Sequence, residues 1–304
     1  MLELKNVELT YFSENGETKA IENIHFTVED GEFIAILGPS GCGKTTILSL
    51  ISGLLKPTKG QVLLNGKPIE KNHSLAGYMF QKDHLFEWRT VQKNVQIGLE
   101  IKKRIYKKQW KKECAFPKMK WNKELFKNVF LNLKTFLQCR KTMKKQFKQK
   151  YKELVIQQYD YADELLKKYG LWDFKNKYPN QLSGGMRQRV ALIRTLALDP
   201  EILLLDEPFS ALDYQTRLNL CDDVSQIIKN ENKTTILVTH DITEALSMAN
   251  KIIVLSKRPA TIKNIHVLNL NENLTPLERR ESGLFLTYFD TIWKELQSDD
   301  NVTK

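Results

Sequence analysis

The sequence predicts an α/β fold built on a largely parallel sheet, and three observations carry that prediction. Residues 33–37, Phe-Ile-Ala-Ile-Leu, are a short apolar run followed at once by the glycine-rich Gly38-Pro39-Ser40-Gly41-Cys42-Gly43-Lys44-Thr45-Thr46 and then by Ile47–Ile51 with helical character. Ile202-Leu203-Leu204-Leu205 is a second wholly apolar run, closed by Asp206-Glu207-Pro208. Thr234–Thr239 is a third, rich in β-branched residues and ended by His240. Continuous apolar runs of this length, alternating with helical segments, read as strands covered on both faces.

Taken in order, residues 2–10 alternate (Leu2, Leu4, Val7, Leu9) as a strand does, and Tyr11-Phe12 precede a turn-rich stretch at 13–17. A second strand is expected over Ile21–Val28, ending at a hairpin-type turn, Asp30-Gly31. Position alone leaves Tyr11 as either a stacking ring for a ligand or an edge aromatic. Gly38, Gly43, Lys44 and Thr45 fill the spacing G-x-x-x-x-G-K-[ST] between a strand and a helix, which is the setting a phosphate cradle needs. The glycines let successive N–H groups turn towards an anion, and the helix N-terminus adds partial positive charge. Lys44 would reach the β/γ-phosphates, and the Thr45 hydroxyl would ligate Mg²⁺.

Gly53 and Pro57 end the first helix. Gln61–Asn65 is a strand turned by Asn65-Gly66, and Ala76–Phe80 is another with Gln81 at its end. Trp88–Val91 enters a helix, and Tyr161, Leu165, Leu166 and Tyr169 mark a further one. Then comes Gln181-Leu182-Ser183-Gly184-Gly185-Met186-Arg187-Gln188-Arg189, in which Ser183 can cap an amphipathic helix whose first amides the glycines leave uncovered, a second anion site. Ser210–Asp213 opens a helix to about Lys229, Lys251–Leu255 is a strand, and the tail is expected to hold a helix over about Glu278–Leu296.

The composition narrows the field. No apolar run approaches a membrane span, and Met1-Leu2-Glu3-Leu4-Lys5 lacks signal-peptide form. The four cysteines are scattered without a C-x-x-C pair, which argues against structural zinc and a disulfide framework and for a reducing compartment. Cys42 reads as a small side chain suited to a tight loop. The net charge of +11 is concentrated: residues 102–152 hold 19 Lys/Arg against two acids, +17, while the remainder is −6.

These motifs together resemble the ATP-binding subunit of ATP-binding cassette (ABC) transporters: the phosphate loop, Gln81 after a strand, Leu182-Ser183-Gly184-Gly185-Met186, the run into Asp206-Glu207-Pro208, Ser210–Asp213 and His240, in the family's order over residues 1–100 and about 153–260. The resemblance implies a P-loop NTPase fold with a RecA-like parallel core, an antiparallel β subdomain and a helical subdomain. It implies ATP as substrate and Mg²⁺ as cofactor. By the same resemblance Tyr11 stacks on adenine and residues 38–46 hold the phosphates. Thr45, Asp206 and Gln81 attend Mg²⁺, Glu207 polarises the attacking water, and His240 senses the γ-phosphate. Residues 182–186 act in trans, on ATP held by the other copy of a homodimer. Phe80-Gln81-Lys82, Trp88–Val91, Tyr178–Gln181, Pro208–Arg217 and Ser256–Pro259 are similar to importers of the nitrate/sulfonate/taurine class. That likeness implies a permease, an extracytoplasmic solute-binding protein and a peripheral place on the cytoplasmic face of the cell membrane.

The chain departs from the family at a lysine-rich helical insertion of about 103–147, which divides an ATPase domain at 1–260 from within; residues 261–304 form a strand/helix extension. From Trp121 the apolar positions Leu125, Val129, Leu133, Phe136 and Leu137 follow one helical face. Packing on the cassette or its partner, with a solvated basic face, is the leading reading, contact with an anionic membrane surface the second, and nucleic acid the least favoured. A soluble, ATP-switched nucleic-acid- or ribosome-binding ABC protein is the rival function.

Overall fold

The computed structural model describes residues 1–14, 16–69, 76–113, 149, 153, 155–210, 212–271 and 274–297. The alternating N-terminal segment folds as β1 (Leu2–Ser13), paired antiparallel with β2 (Gly16–Val28). Strand β2 starts earlier than its apolar pattern suggests, because pairing with β1 extends through Ser13↔Gly16 past the polar residues. Asp30-Gly31 does not close a hairpin. It carries the chain from this sheet into β3 (Phe33–Leu37), which lies in a different sheet. After α1 (Lys44–Ile51), β4 (Lys59–Leu64) returns to pair with β1, and β5 (Lys67–Pro68) follows through Asn65-Gly66, both at positive φ as a type I′ turn demands.

Strand β6 (Ala76–Met79) leads to α2 (Val91–Val95) and α3 (Ile97–Glu113), residues 155–168 form α4, and α5 spans Gly184–Leu196. Strand β7 (Ile202–Asp206), α6 (Tyr214–Asn230), β8 (Thr234–Thr239), α7 (Ile242–Met248) and β9 (Lys251–Leu255) complete the core. The six-stranded sheet has the order β10-β9-β3-β8-β7-β6, parallel throughout except for β10 (Ile262–Val267), which adds antiparallel at the edge. The expected single tail helix is two, α8 (Pro276–Arg280) and α9 (Gly283–Gln297). Thr275 and Glu278 form a capping box at the start of α8, and Glu281 and Ser282 end it with tight i→i−3 bonds. The amphipathic pattern from Trp121 lies outside the described residues.

The period of two sorts the buried strands onto two cores. Ala35, Leu37, Leu203, Leu205 and Leu237 face one side, with residues of α2, α4, α5, α6, α7 and α9. Ile34, Ile36, Leu204, Ile236 and Val238 face the other, where α1 and the antiparallel sheet cover them. This layering puts α1 and the N-terminal sheet on one side of the loop that follows β3.

Candidate nucleotide site

Pairing registers level the ends of three strands. Leu37 lies opposite Thr239, and Asp206 opposite Val238, so the loops after β3, β7 and β8 leave one edge of the sheet together. This is the edge at which open parallel sheets bind their ligands.

The loop after β3 is shaped by its glycines. A side chain at Gly38 would meet Cys42 Sγ at 2.9 Å, and Gly43 sits at φ +125°, open only to glycine. Lys44 is buried, and its Nζ donates to the carbonyls of Gly38 at 2.8 Å and Pro39 at 2.9 Å. Its charge is thus held within the curl of the loop. Burial pushes the Cys42 thiol above its ordinary range, which suits a packing role. The Tyr11 hydroxyl lies 3.4 Å from Thr46 Oγ1, which sets the ring beside the loop on the side of the antiparallel sheet.

Asp206 is the buried carboxylate at the end of β7. Thr45 Oγ1 donates to its Oδ1 at 3.1 Å and Tyr78 Oη to its Oδ2 at 3.0 Å. Burial raises the Asp206 carboxyl, and the two hydroxyls oppose that rise. The neighbouring Tyr78 phenol is also pushed up, by burial first and by Asp206 second. Thr45 and Asp206 offer two hard oxygen donors side by side, a set that fits Mg²⁺ completed by phosphate and water.

Glu207 stands at φ +45°, a conformation uncommon outside glycine, and its N–H is pinned to Val238 O at 2.8 Å. Its carboxylate receives Gln81 Nε2 at 3.2 Å and lies 3.3 Å from His240 Nδ1. Gln81 also donates to Ser210 Oγ at 3.2 Å, and that hydroxyl donates back to Glu207 O at 3.1 Å. The arrangement can orient a water against a phosphate held by the loop.

Sequence reasoning named the strand that holds Tyr78 but gave that tyrosine no role. A phenol in a strand carries no local signal; only the pairing of β6 with β7 brings it to Asp206. It also passed over the framework behind His240. There Arg217 donates to Leu212 O at 3.2 Å and to Asp241 Oδ2 at 3.4 Å, and it lies 3.8 Å from the buried Glu244. Thr239 Oγ1 donates to Glu244 at 2.6 Å.

Ser183 caps α5 by accepting from Met186 N at 3.3 Å, and Gly184 packs against Leu212. Among the described residues no hydrogen bond joins this turn to 38–46. Helix α5 is instead tied to the segment after Gln81. Arg187 bonds Asp83 at 2.7 Å and Glu87 at 2.6 Å, and Arg194 donates to the carbonyls of Asp83 and His84. Burial alone would raise the Asp83 carboxyl, but the Arg187 bonds outweigh it and hold the group below its ordinary range.

Three comparisons bear on this arrangement. The family described as "ABC transporter" matches residues 21–210. The chain is 41% identical to the uncharacterized ABC transporter ATP-binding protein YtlC of Bacillus subtilis, over 98% of this chain and 96% of that protein. It is 33% identical to the aliphatic sulfonates import ATP-binding protein SsuB of Bacillus licheniformis, over 93% of this chain and 89% of the relative. Among solved structures, the dimeric structure of the bacterial ABC transporter cassette MJ0796 superposes with a TM-score of 0.61 at 29% identity, covering 88% of this chain and 99% of that one. A dimeric post-hydrolysis state of the same cassette, bound to ADP and Pi, matches with a TM-score of 0.59 at 28% identity.

Proposed function

This chain belongs to the ABC transporter ATP-binding family and is one of its ATPases, and on that premise we propose that it drives a membrane importer of the nitrate/sulfonate/taurine type. The observation that carries the catalytic part is the meeting of Lys44, Thr45, Asp206, Glu207, Gln81 and His240 at one sheet edge. The likeness to a sulfonate importer subunit, and to a taurine import ATP-binding protein of Ruegeria pomeroyi at 34% identity over 86% of this chain, supports the solute class.

ATP would lie with adenine on Tyr11 and its phosphates in residues 38–46, with Lys44 on the β/γ-phosphates. Thr45 and Asp206, with Gln81 nearby, would hold Mg²⁺, which supplies charge neutralisation at the phosphates. Glu207 would accept a proton from the attacking water, with Gln81 fixing its carboxylate and Ser210 holding Gln81 and the Glu207 main-chain carbonyl. His240 would donate a hydrogen bond to the γ-phosphate. The 182–186 turn, a helix N-terminus with no hydrogen bond to its own loop among the described residues, would complete the site of a second copy in a homodimer. No helix among the described residues is long and apolar enough to cross a membrane, so transport would need permease subunits. Exposed Phe80, Trp88 and Tyr178 around the Gln81 segment offer apolar surface for them, and Arg187 and Arg194 would carry movement there to α5. A solute-binding protein outside the membrane would deliver the solute, with the cassette peripheral on the cytoplasmic face.

The test isolates the tagged full chain and its Glu207→Gln variant from native membranes. The expected result is recovery with a permease, ATP binding by both proteins, and at least 100-fold slower hydrolysis by the variant. Recovery with RNA or ribosomes in the soluble fraction, without a permease, would instead favour the nucleic-acid reading of the basic block.

A further inference from the structure

Helix α9 carries more apolar surface than its packing uses. Phe285 and Ile292 are buried in the core, while Phe289 and Leu296 pack partly against it. Leu286 and Trp293, seven residues apart and so on one face, remain 65% and 49% exposed. The Phe289 and Trp293 rings stack with centroids 6.1 Å apart and planes 10° from parallel, which stiffens that edge.

The position of this edge gives it meaning. Trp293 and Leu296 form one wall of an open cleft whose other wall includes Ser40, Glu207 and His240. The Trp293 end of the exposed apolar strip therefore borders the groups that would face the terminal phosphate, and Leu286 continues the strip about two turns away from them along the helix. A second copy whose Ser183–Gly185 turn is to reach that phosphate must lie over the same cleft, and on approach it meets α9. We infer that the Leu286–Trp293 face of α9 is part of the surface on which a second copy of this chain closes. The inference rests on the dimer reading above and adds to it a contact outside the nucleotide motifs. Continuity with the cleft favours a second copy over the permease, because Trp293 and Leu296 line the same opening as Ser40, Glu207 and His240, the groups that a second copy's turn would cover. Burial of a tryptophan and a leucine there would make closure depend on the C-terminal segment as well as on ATP.

The experiment uses the full chain carrying Glu207→Gln, with Mg²⁺ and ATP, and reads the dimer dissociation constant by sedimentation. Leu286→Glu and Trp293→Glu are each added to that background, and ATP binding is titrated in parallel. The expected result is an ATP-dependent dimer for Glu207→Gln, at least tenfold weaker with either addition, while ATP affinity of the Leu286→Glu monomer stays within twofold. Leu286 is exposed enough that its substitution leaves folding intact, so its effect alone decides the matter. A Leu286→Glu dissociation constant less than tenfold above the background would overturn the inference, whatever Trp293→Glu does and including the case in which the variants lose permease instead. A Glu207→Gln chain that stays monomeric with ATP would overturn the dimer reading, and this inference with it.

Discussion

Replacing Tyr78 with phenylalanine tests the hydrogen-bonded setting of Asp206. The change removes one hydroxyl, which donates to Asp206 Oδ2 at 3.0 Å, and leaves the ring in place, stacked on Phe80 with centroids 4.4 Å apart. A hydrogen bond to a charged group contributes about 1.5–3 kcal/mol, so unfolding in urea at neutral pH should show a loss of that order. Losing that bond also raises the Asp206 carboxyl further, because the hydroxyl is one of the groups that oppose the rise caused by burial. The sign follows from burial. The Asp206 carboxyl already lies above its ordinary range when folded, so its contribution favours the folded state most in acid and is lost as pH rises through the folded value. Without the phenol, ionisation becomes harder, and Mg²⁺-dependent ATP affinity should fall more at about pH 6 than at about pH 8. In an Asp206→Asn background the partner is neutral, and the same substitution should cost only about 0.5–1.5 kcal/mol. Equal costs in the two backgrounds, or a cost below about 0.5 kcal/mol in the native one, would refute a charge-assisted bond.

Three further outcomes are expected. Glu244 is buried, and burial pushes its carboxyl from the ordinary 4.5 up to about 7, with Asp241 adding to the rise and Thr239, Arg217 and His240 opposing it. Stability should therefore fall as pH climbs from about 4.5 through about 7, by at most about 3 kcal/mol, and Glu244→Gln should flatten that slope in urea titrations across pH 5–8. Arg217→Gln cuts the ties from Leu212 to Asp241 and Glu244; it should lower kcat on the order of tenfold, about 1.4 kcal/mol, with KM for ATP unchanged. Gly43→Ala forces a side chain into φ +125° with its Cβ 3.3 Å from Ala20 O, and calorimetric titration should show ATP affinity reduced on the order of tenfold or more.

The parts of the fold that could be read ahead are those written locally. Strands β3, β8 and β9 have the bounds their apolar runs predict, because a strand buried on both faces needs no partner's identity to be recognised. The phosphate loop is equally local, since its glycines, lysine and threonine are contiguous. What could not be read is what neighbours decide. Asp30-Gly31 has the composition of a hairpin turn, yet β3 pairs with β8 and β9, strands formed some 200 residues later. Tyr78 meets Asp206 across 128 residues of chain. The tail's single expected helix is divided at Glu281-Ser282, where tight i→i−3 bonds end α8 before α9 begins at Gly283. That the 182–186 turn makes no hydrogen bond to the phosphate loop among the described residues is likewise a tertiary fact; its expected role on another copy came from family resemblance alone.

Glu207 carries a last consequence. Its left-handed backbone, φ +45°, is a conformation that glycine adopts freely and a side-chain-bearing residue adopts at a cost of roughly 1 kcal/mol. Glycine at this position would relax the main chain and abolish the carboxylate in one step. The fold at this point is thus less comfortable than it needs to be to stand, and activity and durability pull in opposite directions at a single residue. Stabilising the protein by selection for heat resistance alone would press on that position first, and the variants it favoured there would be sturdy and inert.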